Sequence, residues 1–486
     1  MERIYLDYAA STGLDPEVER AMRPYFAEKF GNPGSLHSFG QEASAAVDES
    51  RAKIARLLGL DILTGFREII FTGSATEANN LALRGVLKVI IQNVKIKNQN
   101  DADFIEHSRQ SRNNLKLKNN PPSVDTAILH FDICNLNFRP RIIISTVEHE
   151  SILATVRDLE KEGVEVVYAP VTREGVVDLE KFKKLLNDRT VLVSVMYVNN
   201  ETGMMQPIAE ISKLISEFRI WNLESGKKNS EPKFQIPNSK FYPLLHVDAS
   251  QAPHVLDCNP QKLGVDLMTL SGHKIYGPKG IGLLYARNAG SVRNVVNGKY
   301  NKRAQANGRT PTTFITPILT GANQEFGLRA GTENVPAIVG CAKALELAVE
   351  KREETVKHLQ KLQKYFCRGI KKIFPRAQFN GFDKLTTSGI DSAKNKTDLQ
   401  KSPHIVSIYL PGFYSHDLLV ALDIAGIAVS AGSACSSRHS EPSYVLQAMG
   451  YSKKRAQSSL RFSFGRPTTE GEVKKALLAL GKILKK

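Results

Sequence analysis

Apolar residues in the first two thirds of the chain follow two alternating patterns. Short apolar runs, typical of buried strands, lie at 68–72, 141–145, 164–171, 191–198 and 244–247. Between them lie longer segments, such as 41–58, in which apolar residues recur every three or four positions and predict amphipathic helices. Strands that alternate with helices form parallel sheets covered on both faces. The pattern therefore predicts an α/β fold with a mostly parallel sheet.

The pattern changes near residue 335, where a long helix is followed by strand, linker, strand and helix. This change predicts a large α/β domain over residues 16–335 and a smaller α+β domain formed by residues 1–15 and 336–486. Three polar segments rich in Asn, Lys and Ser, at about 95–140, 222–243 and 289–320, are predicted to be insertions in the large domain.

The composition of the 486 residues, 42% hydrophobic and 24% charged, is that of a globular protein. No run approaches the roughly 18 apolar residues of a membrane span, and the N-terminus lacks signal-peptide features, so we expect no membrane contact and a cytoplasmic location. The net charge of +17 allows an acidic partner, but much of it lies in the insertions. No stacking aromatic or helix-turn-helix signature accompanies it, so direct nucleic-acid binding is not expected.

A lysine in a short, glycine-flanked loop is the first candidate for chemistry. Two apolar runs, 267–270 and 281–285, flank a loop that begins Ser-Gly-His-Lys, in which the lysine is Lys274. This arrangement predicts strand, turn and strand, although an isolated sequence of this kind is also compatible with a surface lysine. Partial burial would favour the neutral amine, which is the form that reacts with a carbonyl cofactor.

Three further groups are expected beside this loop. Strand 68–72 opens into the small residues 73–76 and a helix, and the free N–H groups of a helix N-terminus bind phosphate. His149 and Asp248 follow two other predicted strands, whose carboxyl ends form one crevice. Pyridoxal phosphate requires four groups together: a phosphate cradle, a ring that stacks on it, a carboxylate for the pyridine nitrogen and an amine for the aldehyde.

Ordered motifs along the chain also resemble those of one enzyme family. They are Asp7-Tyr8-Ala9-Ala10-Ser11, Gly31-Asn32-Pro33, Ser74-Ala75-Thr76-Glu77-Ala78-Asn79-Asn80, Glu148-His149, Asn199-Asn200-Glu201-Thr202-Gly203, Asp248-Ala249-Ser250-Gln251, Ser271-Gly272-His273-Lys274 and Arg329-Ala330-Gly331-Thr332. With them the chain resembles the cysteine desulfurases of the NifS/IscS group, over nearly its whole length apart from the polar insertions. These are class V, fold-type I pyridoxal-phosphate enzymes, so the resemblance implies that cofactor and a homodimer.

The resemblance also implies a role for each matching residue. Lys274 would bind the cofactor aldehyde, Asp248 the pyridine nitrogen and Gln251 the phenolic oxygen, while His149 would stack on the ring and take part in proton transfer. Ala75, Thr76, Ser271 and His273 would hold the phosphate, and Thr332 would reach the phosphate of a partner subunit. Asn199 would contact the cofactor or substrate, and Arg461 would bind the substrate carboxylate through its guanidinium fork.

Cys435 lies in a loop of small residues that resembles the extended cysteine loop of the same group. By that resemblance its thiolate attacks the sulfur of the substrate cysteine and becomes a persulfide, and it is a candidate transient ligand of a nascent iron–sulfur cluster. No metal site formed by protein side chains alone is predicted. Neighbouring Arg438 and His439 are hypothesised to favour the thiolate. The other four cysteines, at 134, 258, 341 and 367, are expected to be structural.

The predicted function is therefore a cysteine desulfurase, which converts L-cysteine to L-alanine and an enzyme persulfide. The persulfide would pass to acceptor proteins, such as an iron–sulfur scaffold or a tRNA-thiolation relay. Selenocysteine lyase and cysteine-sulfinate desulfinase stay open as alternatives, because they share the cofactor chemistry and differ in the leaving group. A non-enzymatic alternative is a basic RNA-binding scaffold on a degenerate fold.

Overall fold

A computed structural model of the chain describes residues 3–61, 65–91, 139–225, 242–289, 295–296, 299–300, 314–381, 401–432 and 442–485. Its strands are β1 Ile4–Tyr5, β2 Ile69–Thr72, β3 Arg141–Ser145, β4 Glu165–Ala169, β5 Thr190–Met196, β6 Leu244–Asp248, β7 Leu267–Ser271, β8 Gly282–Ala286, β9 Val295–Val296, β10 Lys299–Tyr300, β11 Gln378–Phe379, β12 Ile405–Tyr409, β13 Ile427–Ala428 and β14 Ser459–Ser463.

The α-helices are Pro16–Met22, Pro24–Ala27, Ser38–Leu57, 75–91, Glu150–Lys161, Leu179–Leu185, Ile208–Ser225, Pro260–Leu263, Val335–Glu350, Arg352–Ile373, Ser415–Ile424, Tyr444–Ala448, Lys453–Ala456 and Glu470–Ile483. Short 3-10 turns lie at Phe66–Glu68, Gly272–Lys274 and Gln324–Gly327. Among the described residues no helix is long and apolar enough to cross a membrane.

A seven-stranded sheet in the order β2-β8-β7-β6-β5-β3-β4 forms the centre of the fold. Strands β3 to β7 pair in parallel, as the alternating pattern predicted, whereas β8 is antiparallel to both of its neighbours. The reversal at β8 follows from the short loop that carries Lys274, because a connection of that length joins only antiparallel strands. The α/β fold with a mostly parallel sheet is thus confirmed.

Helices cover both faces of this sheet. Along β3, Ile143 belongs to one core cluster, while Ile142 and Ile144 belong to the cluster on the opposite face. The helices Ser38–Leu57 and Val335–Glu350 contribute to the first cluster, and helix 75–91 contributes to the second. Because successive side chains of a strand point to opposite faces, the continuous apolar runs are what a sheet buried on both faces requires.

A smaller sheet in the order β11-β12-β14 lies in the C-terminal part of the chain, with its own apolar core. Phe366 of helix Arg352–Ile373 packs on Phe462 of β14, with ring centroids 4.7 Å apart. The N-terminal strand β1 pairs in parallel with β13. The division into domains 16–335 and 1–15 with 336–486 stays a prediction.

Two details of the predicted elements are corrected by the structure. Phe314 and Ile315, placed in the polar insertion 289–320, are buried in the core beside helix 75–91. Their apolar side chains were masked by the many Asn, Lys and Thr residues before them. The long helix predicted near residue 335 is interrupted at Lys351, whose Nζ lies 3.1 Å from Glu17 Oε1. No glycine or proline marks this break.

Candidate active site

A cavity of about 230 Å³ lies at the carboxyl ends of β3, β5, β6 and β7. Its wall includes these predicted site residues: Ala75, Thr76, His149, Asp248, Gln251, Ser271, His273, Lys274 and Arg461. They come from segments far apart in sequence. The fold brings them together at the edge where the carboxyl ends of the parallel strands meet.

Lys274 ends the 3-10 turn that follows β7, and its side chain is partly buried. Its Nζ donates to the carbonyl oxygens of Ala9 and Ala10, at 2.5 and 2.7 Å. The turn needs glycine at position 272, because a Cβ there would lie 2.7 Å from Ile281 Cγ2. Lys274 is therefore held at the cavity by the N-terminal loop, and the surface-lysine alternative is wrong.

Asp248 is the last residue of β6, and its carboxylate has a fixed orientation. Asn79 Nδ2 donates to Oδ2 at 2.9 Å, and the Ser250 N–H donates to Oδ1 at 2.9 Å. Gln251, on the turn that follows, donates from Nε2 to the Ala9 carbonyl at 2.8 Å. The same N-terminal loop thus contacts both Gln251 and Lys274.

Two histidines in the wall are neutral near pH 7. His149 caps the helix Glu150–Lys161, and burial lowers its pKa; Lys274 acts in the same direction and Asp248 in the opposite one. Burial, together with Lys274 and Lys279, lowers the pKa of His273 to about 4. Its Nδ1 lies 3.2 Å from Ser11 Oγ. Both rings therefore act through hydrogen bonds and stacking, without adding positive charge.

The first turn of helix 75–91 faces the cavity with residues 74–76. Ser74 Oγ accepts the Glu77 N–H at 3.1 Å, and Glu77 Oε2 accepts the Gly73 N–H at 2.7 Å. Arg329 donates from Nε to the other oxygen of Glu77 at 2.9 Å. These bonds fix the loop before the helix, so that its free amides form a preorganised anion site.

Gly282, the first residue of β8, packs directly against this anion site. A Cβ at Gly282 would lie 2.4 Å from the Ser74 carbonyl carbon and 2.5 Å from the Ala75 nitrogen. Both are backbone atoms and cannot rotate away. The close approach of β8 is thus part of the wall behind the cradle.

We expect Gly282→Ala to raise the dissociation constant of pyridoxal phosphate at least about tenfold, because the added methyl group displaces the cradle. Spectroscopic titration of the cofactor-free protein measures this constant. Gly13→Ala is the matched control, since a Cβ there meets no atom within 4 Å. An unchanged constant in Gly282→Ala would contradict the role of the cradle.

Arg461 in β14 forms the opposite side of the cavity and is 2% exposed. Its Nη2 donates to Asp7 Oδ1 at 2.7 Å, and its Nη1 donates to the Asn200 carbonyl at 2.8 Å. Nε has no hydrogen-bond partner among the described residues. A guanidinium has five N–H donors, so this buried cation keeps donors for an anionic ligand.

Comparison with known proteins places the chain among enzymes. The family model described as aminotransferase class-V matches residues 4–104, 125–222 and 238–476. The cysteine desulfurase IscS of Dictyoglomus turgidum is 34% identical over 483 residues, which are 99% of this chain and 95% of that protein. The IscS of Rickettsia massiliae is 35% identical over 471 residues, 97% of this chain and 88% of that protein. A solved NifS-like protein superposes with a TM-score of 0.71 at 29% identity, covering 100% of both chains.

The chain belongs to the aminotransferase class-V family. It is a pyridoxal-phosphate enzyme of the cysteine desulfurase group, and the predicted resemblance is confirmed. The cavity fits the cofactor on its own chemistry: a helix N-terminus for a phosphate, the oriented carboxylate of Asp248 for a ring nitrogen, and Lys274 for an aldehyde.

Two predicted site residues that the structure describes, Asn199 and Thr332, do not line the cavity of this class-V enzyme. Asn199 is buried in its own loop, where Oδ1 accepts from the Thr202 N–H at 2.9 Å and Nδ2 donates to the Val147 carbonyl at 3.1 Å. These bonds do not support a cofactor contact, and the neighbouring Asn200 lines the cavity instead. Thr332 is exposed, and its reach into a partner subunit stays a prediction. Cys435, Arg438 and His439 lie outside the described residues.

Several groups of the class-V site were not assigned a role from the sequence. Asp7 and the carbonyls of residues 9 and 10 hold Arg461 and Lys274. Glu148 is fully buried, and burial raises its pKa to about 8, so it is protonated near pH 7. Asp7 and Glu148 both belong to motifs shared with the resembling family, and this membership could have indicated that they have a role in the site.

Proposed function

We propose that this enzyme removes sulfur from L-cysteine by transfer to the thiol of Cys435, releasing L-alanine. The observation that carries the proposal is the single cavity shared by Lys274, Asp248 and Arg461, beside the two described ends of the loop that contains Cys435. Bound pyridoxal phosphate supplies an aldehyde that captures the substrate amino group and a ring that delocalises electrons.

The chain's own groups would hold that cofactor and the substrate. Ala75, Thr76, Ser271 and His273 line the cavity and would hold the phosphate, while Asp248 and Gln251 would contact the ring. Arg461 binds the substrate carboxylate, because it is the buried guanidinium in the wall and retains unused donors. The substrate is thereby oriented between the Lys274 side and the β14 side of the cavity.

The two ends of the cysteine loop are attached close to Arg461. Ser430 donates from Oγ to Asp7 Oδ2 at 2.9 Å and pairs with the Arg461 backbone. After the loop, Ser443 donates from Oγ to Glu201 Oε2 at 2.5 Å. Cys435 stands three positions after Gly432, which limits its reach to about 10 Å from that residue. The attachment of both described loop ends beside Arg461 supports Cys435 as the sulfur acceptor.

The three cysteines that the structure describes are unsuited to nucleophilic attack. Cys258, Cys341 and Cys367 are buried, and burial raises their pKa values to about 12, 12 and 11. The thiolate is the reactive form of a thiol, so these three stay inert near neutral pH. Of the remaining two, Cys134 lies in the polar segment 95–140, whereas Cys435 lies in the loop whose two described ends are bonded beside Arg461.

In the proposed transfer, the Cys435 thiolate attacks the sulfur of the bound substrate. A sulfur–sulfur bond forms and the carbon–sulfur bond of the substrate breaks, while the carbon keeps the bonding electron pair. A proton then completes the methyl group of alanine, and Cys435 is left as a persulfide. No external oxidant is needed, because the sulfur gains its bond to Cys435 as it loses its bond to carbon.

The destination of the persulfide is also part of the proposal. The relatives named IscS favour acceptor proteins of iron–sulfur cluster assembly, with a tRNA-thiolation relay as the second destination. The proposal also includes transient ligation of a nascent iron–sulfur cluster by Cys435. It further includes a homodimer in which Thr332 reaches the phosphate of the partner subunit. The cytoplasmic location stays a prediction.

An assay with purified full-length enzyme tests the reaction. Incubation with L-cysteine and a reductant should release sulfide and alanine in equal amounts. Selenocysteine and cysteine sulfinate, compared at equal concentration, distinguish the two alternative activities. Rapid release of selenide or sulfite with no sulfide from cysteine would overturn the proposal. Absence of every activity, with no cofactor bound, would instead favour the scaffold alternative.

We expect Arg461→Lys to lower kcat/KM for L-cysteine by about 100-fold, mainly through KM, because an ammonium cannot form the paired bonds of a guanidinium. Steady-state kinetics measures both constants, and cofactor affinity should stay within about twofold. Arg455→Lys is the matched control: Arg455 is also buried and donates to Asn380 and Gln378, but does not line the cavity. It should lower thermal stability and leave KM unchanged. A normal KM in Arg461→Lys contradicts the assigned role.

A further inference from the structure

Four side chains form a hydrogen-bonded chain behind the cavity wall. Asp248 Oδ2 accepts from Asn79 Nδ2 at 2.9 Å, and the same nitrogen lies 2.8 Å from Ser151 Oγ. Ser151 Oγ in turn lies 2.9 Å from His149 Nδ1. The chain thus connects the carboxylate predicted for the ring nitrogen with the imidazole predicted to stack on the ring.

The direction of every bond in this chain follows from Asn79. Asn79 is fully buried, and its Oδ1 has no hydrogen-bond partner among the described residues. Rotating the amide by half a turn would place Oδ1 against the Asp248 carboxylate, so that two acceptors would face each other. Both protons of the amide are therefore donated, one to Asp248 and one to Ser151.

Ser151 must then donate its only hydroxyl proton to His149. Its Oγ already accepts from Asn79, and His149 Nδ1 is the group within reach of its proton. The backbone N–H of Ser151 donates to the same Nδ1 at 3.1 Å. Two donors directed at Nδ1 leave no room for a proton on that nitrogen, so the ring proton is on Nε2.

We propose that Asn79 and Ser151 are positioning residues that hold His149 as a neutral imidazole with its proton on Nε2. His149 then presents a hydrogen-bond donor to the cavity and no free lone pair. In this state His149 would donate a hydrogen bond to the substrate and would not act as a base toward it. This catalytic consequence rests on the proposed function. The tautomer itself does not depend on that function.

The charged groups around His149 are consistent with a fixed neutral ring. Lys274, across the cavity, disfavours the imidazolium, while Asp248 and Glu150 favour it, and burial outweighs both carboxylates. Glu148, next in sequence, is protonated near pH 7 and adds no charge. Protonation of His149 would require Nδ1 to take a proton and would place it against two donors.

The test uses the full-length chain labelled with 15N-histidine, with and without bound pyridoxal phosphate. The signal of His149 is identified by its absence in His149→Gln. Nδ1 should show the shift of an unprotonated nitrogen and Nε2 that of a protonated one from pH ~6 to ~8. A protonated Nδ1 in that range would overturn the proposal, whatever the activity of the enzyme.

Variants then test whether the hydrogen bonds that run from Asp248 through Asn79 and Ser151 to His149 act through Ser151. Ser151→Ala should raise the pKa of His149 by about 0.5 to 1 pH unit, because one of the two donors to Nδ1 is lost. Asn79→Ala should raise it too, and most of that rise should disappear when residue 151 is already alanine. Thr155→Val is the matched control: Thr155 is one turn further along the same helix, and its hydroxyl lies within hydrogen-bond distance of the Ser151 carbonyl and of Asn80 Oδ1, neither of which belongs to the four-residue hydrogen-bond network. An unchanged pKa in Ser151→Ala, or the same rise in Thr155→Val, contradicts the proposal; circular dichroism verifies folding of each variant.

Discussion

Replacing Lys274 with alanine is expected to remove the cofactor absorbance band near ~420 nm and to lower cysteine turnover by at least about 1000-fold. Lys274 provides an amine in the cavity wall, and its Nζ donates to the carbonyls of Ala9 and Ala10 in the N-terminal loop. Alanine cannot form the covalent bond to the aldehyde. It also removes the lysine donor from both carbonyls, although the Ala9 carbonyl keeps its bond from Gln251 Nε2.

The control for this variant is Lys279→Ala, because Lys279 is an exposed lysine of the same loop. It should keep the absorbance band and normal turnover. Absorbance spectra and alanine release measure the two properties separately. A Lys274→Ala enzyme that keeps the band would show that the cofactor is attached elsewhere, and both the site and the proposed function would have to be reassigned.

Replacing Cys435 with alanine is expected to separate cofactor binding from sulfur transfer. The variant should bind pyridoxal phosphate with unchanged affinity, because the phosphate cradle and Asp248 lie on the central sheet. Its persulfide formation should fall below detection, since the described alternatives Cys258, Cys341 and Cys367 are buried thiols with raised pKa values.

Mass spectrometry of the protein after one turnover detects the persulfide as an added sulfur atom. Cys367→Ala is the control, because it removes a buried thiol from the core beside the smaller sheet and should keep persulfide formation. If Cys435→Ala still released sulfide and alanine at the normal rate, another group would accept the sulfur. That result would falsify the role of Cys435 and leave the cofactor site intact.

The strands of the central sheet could be predicted because local pattern reflects burial. Ile142, Ile143 and Ile144 are consecutive and apolar, which is what a strand covered on both faces requires, and they divide between the two core clusters as expected. The buried pair Phe314 and Ile315 was missed because two apolar residues among polar neighbours give no periodic signal. The interruption at Lys351 has no local sequence signal, because no glycine or proline stands at the break.

The same contrast applies to the site. The residue types at Lys274, Asp248, His149 and the helix N-terminus could be selected from the sequence, since each follows a strand whose carboxyl end faces the crevice. The hydrogen bonds of the Asn199 side chain could not be predicted, because an asparagine in a loop can bond either to its own loop or to a ligand. The folded structure shows that it bonds to its own loop. Asn79 belongs to one of the family motifs, but no role could be assigned to it, because its hydrogen-bond partners are known only from the folded structure.

By itself, the sequence determined the α/β class, the loop that presents Lys274 and the set of groups that a pyridoxal-phosphate site needs. These follow from short-range properties: apolar periodicity, turn residues and the order of elements. Two long-range pairs become visible only in the folded chain: Arg461 with Asp7, 454 positions away, and Asn79 with Asp248, 169 positions away. Such pairs depend on strand register and on the packing of the two sheets, which bring distant groups within hydrogen-bond distance and which no local pattern encodes.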